Sequence, residues 1–299
     1  MTPHVLFVFL DGVGLGPAGP MNPLSTCALP GFARLAGGAP WTDALPPLAT
    51  PTHVVATLDA TLGMPGLPQS GTGQTALFTG VNAAALHGAH YGPTPPTTVR
   101  DVLERESVMA HVAQRSGSDA GAFANAFPTR FFAAVEPRGR WSATTRMARA
   151  AGVRLRLGTD LAAGDAVAAD VTGAGWPDLP VTPVSEAVAA ERLLAITRAH
   201  RFTLFEVFHT DKAGHAQDAA MAAAVLGTLD RLVGALLDRI DVTRELLVIS
   251  SDHGNLEDLS TRSHTRHPVP LLAWGAGADT FLGAASLTDV TPALRRVLA

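Results

Sequence analysis

The chain has 299 residues, of which 47% are hydrophobic and only 16% charged, against roughly a quarter charged in average soluble domains. That length and apolar content predict one large core carrying at most an insert, and exclude a string of small domains. With 22 Lys+Arg against 26 Asp+Glu, a net charge of −4 and no basic run, there is no electrostatic footprint for nucleic acid or an anionic membrane, and small partners fit better.

A single cysteine, Cys27, leaves no partner for an internal disulfide, and the apolar run at 5–10 is cut by Asp11 before it reaches signal-peptide length. No stretch approaches the ~20 uninterrupted apolar residues of a membrane span. These features predict a cytoplasmic location. The oligomeric state is not written in any motif.

Taken in order, residues 4–10 (HVLFVFL), 202–208 (FTLFEVF) and 246–250 (LLVIS) are continuous apolar runs, as expected of strands buried on both faces of a parallel sheet. Each is followed closely by an acidic residue: Asp11, Asp211 and Asp252. Between them lie helical patterns at 99–114, 184–200 and 216–240, the last with Met221, Val225, Leu229, Leu232, Leu236 and Ile240 three or four apart. Alternation of this kind predicts an α/β fold with a mainly parallel sheet, whose ligands bind beyond the carboxyl ends of the strands, where the acidic residues fall. Residues 120–127 read as a further core strand and 268–274 (PVPLLAW) as a returning one. From 129 to 183 the chain turns rich in Arg, Gly, Pro and Trp (PRGRW, GAGWPDLP) and loses strand periodicity. The expected organisation is a core of 1–128 and 184–299 with a small insert or cap at 129–183.

Five of the eleven histidines, His209, His215, His253, His264 and His267, fall between 201 and 270 together with Asp211 and Asp252. In Asp211-Lys-Ala-Gly-His215 the carboxylate and imidazole are four apart, so one helical turn brings both to a single ion. Any one such pair also fits a strand-to-turn junction, but the set together is too large for one tetrahedral zinc. Mixed carboxylates and imidazoles suit two divalent ions, Mn²⁺ by preference and Zn²⁺ as the alternative. A second signal is the stretch Pro68-Gln-Ser70-Gly-Thr-Gly-Gln74, where small residues surround a hydroxyl before an apparent helix at 74–79. Open backbone there aims N–H groups at an anion and suits a nucleophile on an exposed turn. A plain Ser N-cap fits the same residues.

Asp11-Gly12, Ser70 before its Gly-x-Gly, Asp211-x-x-Gly-His215, Asp252-His253-Gly-Asn255 and His264-Thr-Arg-His-Pro-Val-Pro270 resemble, in order, the motifs of the alkaline phosphatase superfamily. Within it they look most like cofactor-independent phosphoglycerate mutases and phosphopentomutases. The resemblance covers the start of the chain to about residue 90 and again from about 200 to the end. It implies a three-layer sandwich around a mainly parallel sheet, one metal on Asp11, Ser70, Asp252 and His253, and the other on Asp211, His215 and His264. Ser70 would be the nucleophile that becomes phosphoserine, and the substrate a small phosphorylated metabolite. Two departures from the mutases, Gln74 where they carry a histidine and an insert of about 55 residues in place of their larger cap, favour a phosphomonoester hydrolase. An intramolecular phosphomutase and a catalytically silent metal- or phosphate-binding protein are the alternatives. Lys212, the only lysine, is a candidate substrate contact, as are Asn255 and His267, which would otherwise orient ligand imidazoles. His87, His90, Arg130, Phe131, Arg138, Arg140 and Trp141 are further candidates around the substrate.

Overall fold

The first apolar run shows no polar alternation because β1 (His4–Leu10) lies between β7 (Phe202–Val207) and β8 (Glu245–Ser250), parallel to both, with helices over each face. The computed structural model describes residues 2–178 and 180–299. Its main sheet has seven strands in the order β2-β3-β9-β8-β1-β7-β4, with β2 at Leu48–Ala49, β3 at His53–Leu58, β4 at Gly121–Phe123 and β9 at Val269–Gly275. Strands β4, β7, β1 and β8 run parallel, while β9 returns antiparallel between β8 and β3. The architecture is the expected α/β sandwich with a mainly parallel sheet, closed at one edge by antiparallel strands.

One face carries α3 (Ser70–Thr79), α4 (Ala83–His87), α5 (Thr97–Glu106), α6 (Val108–Ser116), α8 (Ala143–Ala150) and α13 (Val290–Val297), packed on Phe7, Phe9 and Phe202. The other carries α1 (Pro23–Thr26), α2 (Pro30–Leu35), α10 (Glu186–Ala199), α11 (His209–Ala216) and α12 (Ala219–Leu237). The helical pattern at 99–114 is divided at Ser107, whose hydroxyl accepts from the Ala110 N–H and starts a new helix without interrupting the apolar period.

By length and composition α12 is apolar enough to cross a membrane, although Asp230 and Arg231 break its apolar run. In the fold Leu226, Leu229 and Leu236 are buried in the layer shared with α2 and α10, and the Asp230 carboxylate accepts from the Phe32 N–H at 2.8 Å, closing the first turn of α2.

The strand expected at 120–127 divides. After β4 the Asn125 side chain takes over the ladder, accepting from the Glu206 N–H at 2.8 Å and donating to the Glu206 carbonyl at 2.7 Å. That frees the following β5 (Ala126–Phe127) to leave the sheet and pair with β6 (Arg156–Leu157). The segment 129–183 has two parts. Helix α8 lies within the core layer through Ala143, Met147 and Ala148, whereas α7 (Thr129–Val135) and the turn reaching Trp176 form the rim of a cleft, with the start of α9 (Gly158–Ala163) against the Trp176 ring.

Candidate active site

Strands β1, β7 and β8 end side by side, and their parallel register places Asp11, Asp211 and Asp252 at one end of the sheet. Two sets of ligating atoms converge there, each within 4.8 Å: Asp11, Asp252 and His253 in one, Asp211, His253 and His264 in the other. His253 stands between them, stacked on His264 with ring centroids 3.8 Å apart. His215 completes the second set, its Nε2 being 3.3 Å from Asp211 Oδ2 and 3.2 Å from His264 Nε2. Its Nδ1 is held by the Arg262 carbonyl at 2.7 Å, as that of His264 is held by the Pro68 carbonyl at 2.8 Å, so both imidazoles present Nε2 to the site.

Close backbone approach explains the glycines in these motifs. Gly12 has φ +69°, and a Cβ there would lie 2.6 Å from Asp211 Oδ1. At Gly214 a Cβ would meet the Asn255 side chain at 2.6 Å, which is why one turn of α11 can seat Asp211 and His215 against the loop after β8.

Ser70 is not on an exposed turn. It is the first residue of α3, is 8% exposed, and its Oγ lies 3.0 Å from His253 Nε2. The sequence pattern hid the first turn of this helix because Ser-Gly-Thr-Gly has weak helix propensity and all ten residues are buried, leaving no amphipathic stripe. Inside, the hydroxyls of Thr75 and Thr79 bond back to the carbonyls of Gly71 and Thr75 at 2.6 and 2.7 Å, so they are satisfied without solvent. Gln74 is buried in the same helix, and the Asp252 carboxylate accepts from the Gly12 N–H at 3.3 Å.

Burial and the neighbouring Asp252 charge push Asp11 up to about 7, and burial raises Asp252 as well. Burial works against a charged His253, but the carboxylates of Asp252 and Asp11 overcome it and push that imidazole up to about 10. Burial and the charge of His253 depress His264 to about 4. Even so, Asp11 Oδ1 and Asp252 Oδ2 are buried without a hydrogen-bond partner; they face His253 Nε2 at 3.4 and 3.5 Å without the alignment a hydrogen bond needs. Orphaned carboxylate oxygens beside imidazole nitrogens are the donor set a divalent ion requires, and the residues fit two such ions.

Asn255 and His267, expected against substrate or behind imidazoles, do neither. The Asn255 amide donates to Asp211 Oδ1 at 2.7 Å and so fixes a carboxylate, while His267 pairs with Glu257 at 3.1 Å; both lie outside the lining of the cleft. Lys212, Arg130, Phe131 and Arg140 line that cleft. His87 bonds Thr98 at 2.9 Å on the far side of α4, and His87, His90, Arg138 and Trp141 are not in the lining. His209 also lines the cleft, with its ring stacked on Phe208.

Two carboxylates escaped the sequence reading. Glu257 is 1% exposed and accepts from the N–H groups of Gly14 and Asn255, both at 2.8 Å, as well as from Thr265 and His267. It pins the loop of Asp252 and Asn255 to the loop after β1, and nothing in the pattern Asn255-Leu-Glu257 announced it. Glu257→Ala is expected to cost about 3–5 kcal/mol in urea unfolding, because it strands two buried N–H donors and an imidazole partner. Glu206 did leave a signal, as the one charged residue inside FTLFEVF. It is 8% exposed at the floor of the cleft, accepts from Thr144 Oγ1 at 2.8 Å, and is pushed up to about 8 by burial and by Asp11.

Residues 176–297 match the model of the metalloenzyme superfamily. That match spans less than half of the chain, and the fold is the one seen in alkaline phosphatases. Over 96 residues, 32% of this chain, it is 27% identical to the 2,3-bisphosphoglycerate-independent phosphoglycerate mutase of Pyrococcus abyssi. That stretch spans 23% of the mutase. In three dimensions the chain is similar to a mutant alkaline phosphatase from the Antarctic bacterium TAB5 with Mg bound in its M3 site, at TM-score 0.56 and 13% identity over 99% of this chain and 98% of that one. It is also similar to the phosphoglycerate mutase of Leishmania mexicana determined at low cobalt concentration, at TM-score 0.54 and 14% identity over 100% of this chain and 95% of that one.

Proposed function

We propose that this protein is a metal-dependent phosphoryl-transfer enzyme, and specifically a phosphomonoester hydrolase working through phosphoserine on a small phosphorylated substrate. The observation that carries the reading is Ser70 Oγ at the start of α3, 3.0 Å from His253 Nε2 and beside the Asp11 and Asp252 carboxylates. Asp11, Ser70, Asp252 and His253 would hold one ion, and Asp211, His215 and His264 the other. Bound there, divalent ions supply positive charge that favours the Ser70 alkoxide and neutralises the phosphoryl oxygens.

The chain's own residues do the rest. Ser70 Oγ forms the bond to phosphorus as the ester oxygen leaves with the bonding pair and takes a proton from solvent; water then attacks phosphorus and returns the Ser70 hydroxyl with inorganic phosphate. The Gly12 N–H and the Asn255 amide fix the carboxylates of Asp252 and Asp211, so the charge facing the phosphoryl group is in place before substrate arrives. Lys212 adds a cation at the cleft wall.

The alignment with phosphoglycerate mutases supports a mutase reading as well. Hydrolysis is favoured because α7 and the Trp176 turn rim the cleft, whereas a mutase must seal its phosphorylated intermediate from water. With Mn²⁺ loaded, the protein is expected to release phosphate from 4-nitrophenyl phosphate and to leave 2- and 3-phosphoglycerate unexchanged. Isomerisation without phosphate release would establish the mutase. Bound metal with neither activity would establish the silent binder.

A further inference from the structure

The cleft in front of Ser70 encloses about 800 Å³, the size of a site for a drug-sized ligand and far more than a three-carbon phosphate fills. Its two ends differ in chemistry. At the catalytic end lie Asp11, Ser70 and Glu206, and Lys212 and Arg130 line the same cleft. Among the described residues neither cation forms an ion pair with a protein carboxylate; Lys212 Nζ lies instead 4.3 Å above the Phe208 ring. Two cations in one cleft, neither paired with a carboxylate, complement an anion supplied from outside.

The other end is aromatic. Phe127 and Phe131 stand with centroids 4.8 Å apart and planes tilted by 42°, and Trp176 lines the same cleft from the turn after β6 and α9. Phe131 is braced from behind by Trp141 at 6.0 Å, so the wall is built and not a loose side chain. A small polyanion would leave the partly exposed rings of Phe131 and Trp176 facing water, with the buried Phe127 behind them, whereas a flat ring would cover them and gain both apolar burial and ring packing.

From this juxtaposition we infer that the substrate is a phosphate monoester of an alcohol bearing a flat aromatic or heteroaromatic ring, with its phosphoryl group at Ser70 between Arg130 and Lys212 and its ring against Phe127, Phe131 and Trp176. The inference rests on the phosphomonoesterase reading for the orientation of the ester. It is tested by binding rather than rate, because aryl esters are intrinsically more reactive.

Mn²⁺-loaded Ser70→Ala protein, which cannot turn substrate over, is titrated by calorimetry with phenyl phosphate, a purine nucleoside 5′-monophosphate and glycerol 2-phosphate. At least one ring ester is expected to bind about tenfold tighter than glycerol 2-phosphate, and which of the two does so distinguishes an aryl from a nucleoside source. Adding Phe131→Leu, which keeps an apolar side chain, or Trp176→Leu is expected to shrink that ratio to about twofold while glycerol 2-phosphate binding stays unchanged. Equal affinities in Ser70→Ala, binding of no ester, or parallel weakening of all three esters in the wall variants would overturn the inference. Phosphate release by the parent chain is scored separately. Ring preference without phosphate release removes the hydrolase reading alone, and phosphate release without ring preference removes the inference alone.

Discussion

Ser70→Ala is expected to remove phosphoryl transfer while leaving a folded protein. The hydroxyl is the group closest to His253 Nε2 that has no role in the packing of α3, so its loss strands one hydrogen bond, worth about 1 kcal/mol. Activity depends on it entirely under a covalent mechanism, and a fall of roughly three orders of magnitude or more in kcat/KM is expected. Labelled phosphoester quenched in acid is expected to mark Ser70 in the parent and nothing in the variant. Thr72 lies two residues along α3 with its N–H and hydroxyl both engaged by the Tyr91 carbonyl. Label on Thr72 would relocate the nucleophile, and full activity in Ser70→Ala would end the covalent mechanism.

The second large effect is a dependence of stability on pH that changes with metal. Without metal, Asp252 and His267 bind protons more tightly in the folded chain than in the unfolded one, as do three further groups: Asp11 at about 7, Glu206 at about 8 and His253 at about 10. His264, depressed to about 4, works the other way only below its unfolded 6.5. For the two acids the stabilising contribution is complete below their unfolded values of 3.8 and 4.5 and is lost as pH rises through 7 and 8. For His253 it is complete below 6.5 and lost as pH rises through 10. All three slopes share a sign, so chelator-treated protein is expected to lose several kcal/mol between mildly acid and alkaline pH, since a tenfold difference in proton affinity is worth about 1.4 kcal/mol.

Metal should reverse the trend, because ligation needs ionised carboxylates and neutral imidazoles and therefore strengthens with pH. Protein reloaded with Mn²⁺ or Zn²⁺ is expected to hold two ions per chain and to gain about 3–4 kcal/mol at metal concentrations 100 to 1,000 times the dissociation constant. The gap between loaded and stripped melting curves should widen from pH 5 to pH 8. A gap independent of pH, or less than one ion per chain after reloading, would remove the proposed metal centre.

The strands were the most legible part of the fold because burial on both faces leaves an unbroken apolar run, and β1, β7 and β8 carry that mark. The acidic residues that follow them were equally legible, since a charge straight after such a run has only the sheet end to occupy. Helix α3 was half legible: an element buried all round carries no stripe to read. The transfer of the ladder from β4 to Asn125 was illegible, because one amide bonding both backbone groups of Glu206 depends on a partner 81 residues away.

By itself, then, the order of motifs determined the sheet, the end of it that carries chemistry, and the seven candidate ligands, because strand polarity and side-chain type are local properties. Only the tertiary structure decided which side chains stand against those ligands. It put His253 between both groups, turned Asn255 onto Asp211 and His267 onto Glu257, drew Glu206 and Thr144 up to Asp11, and stood an aromatic wall opposite Ser70. Each of these is a contact between segments far apart in the chain, set by how helices pack on the sheet, and spacing along a sequence carries no measure of that distance.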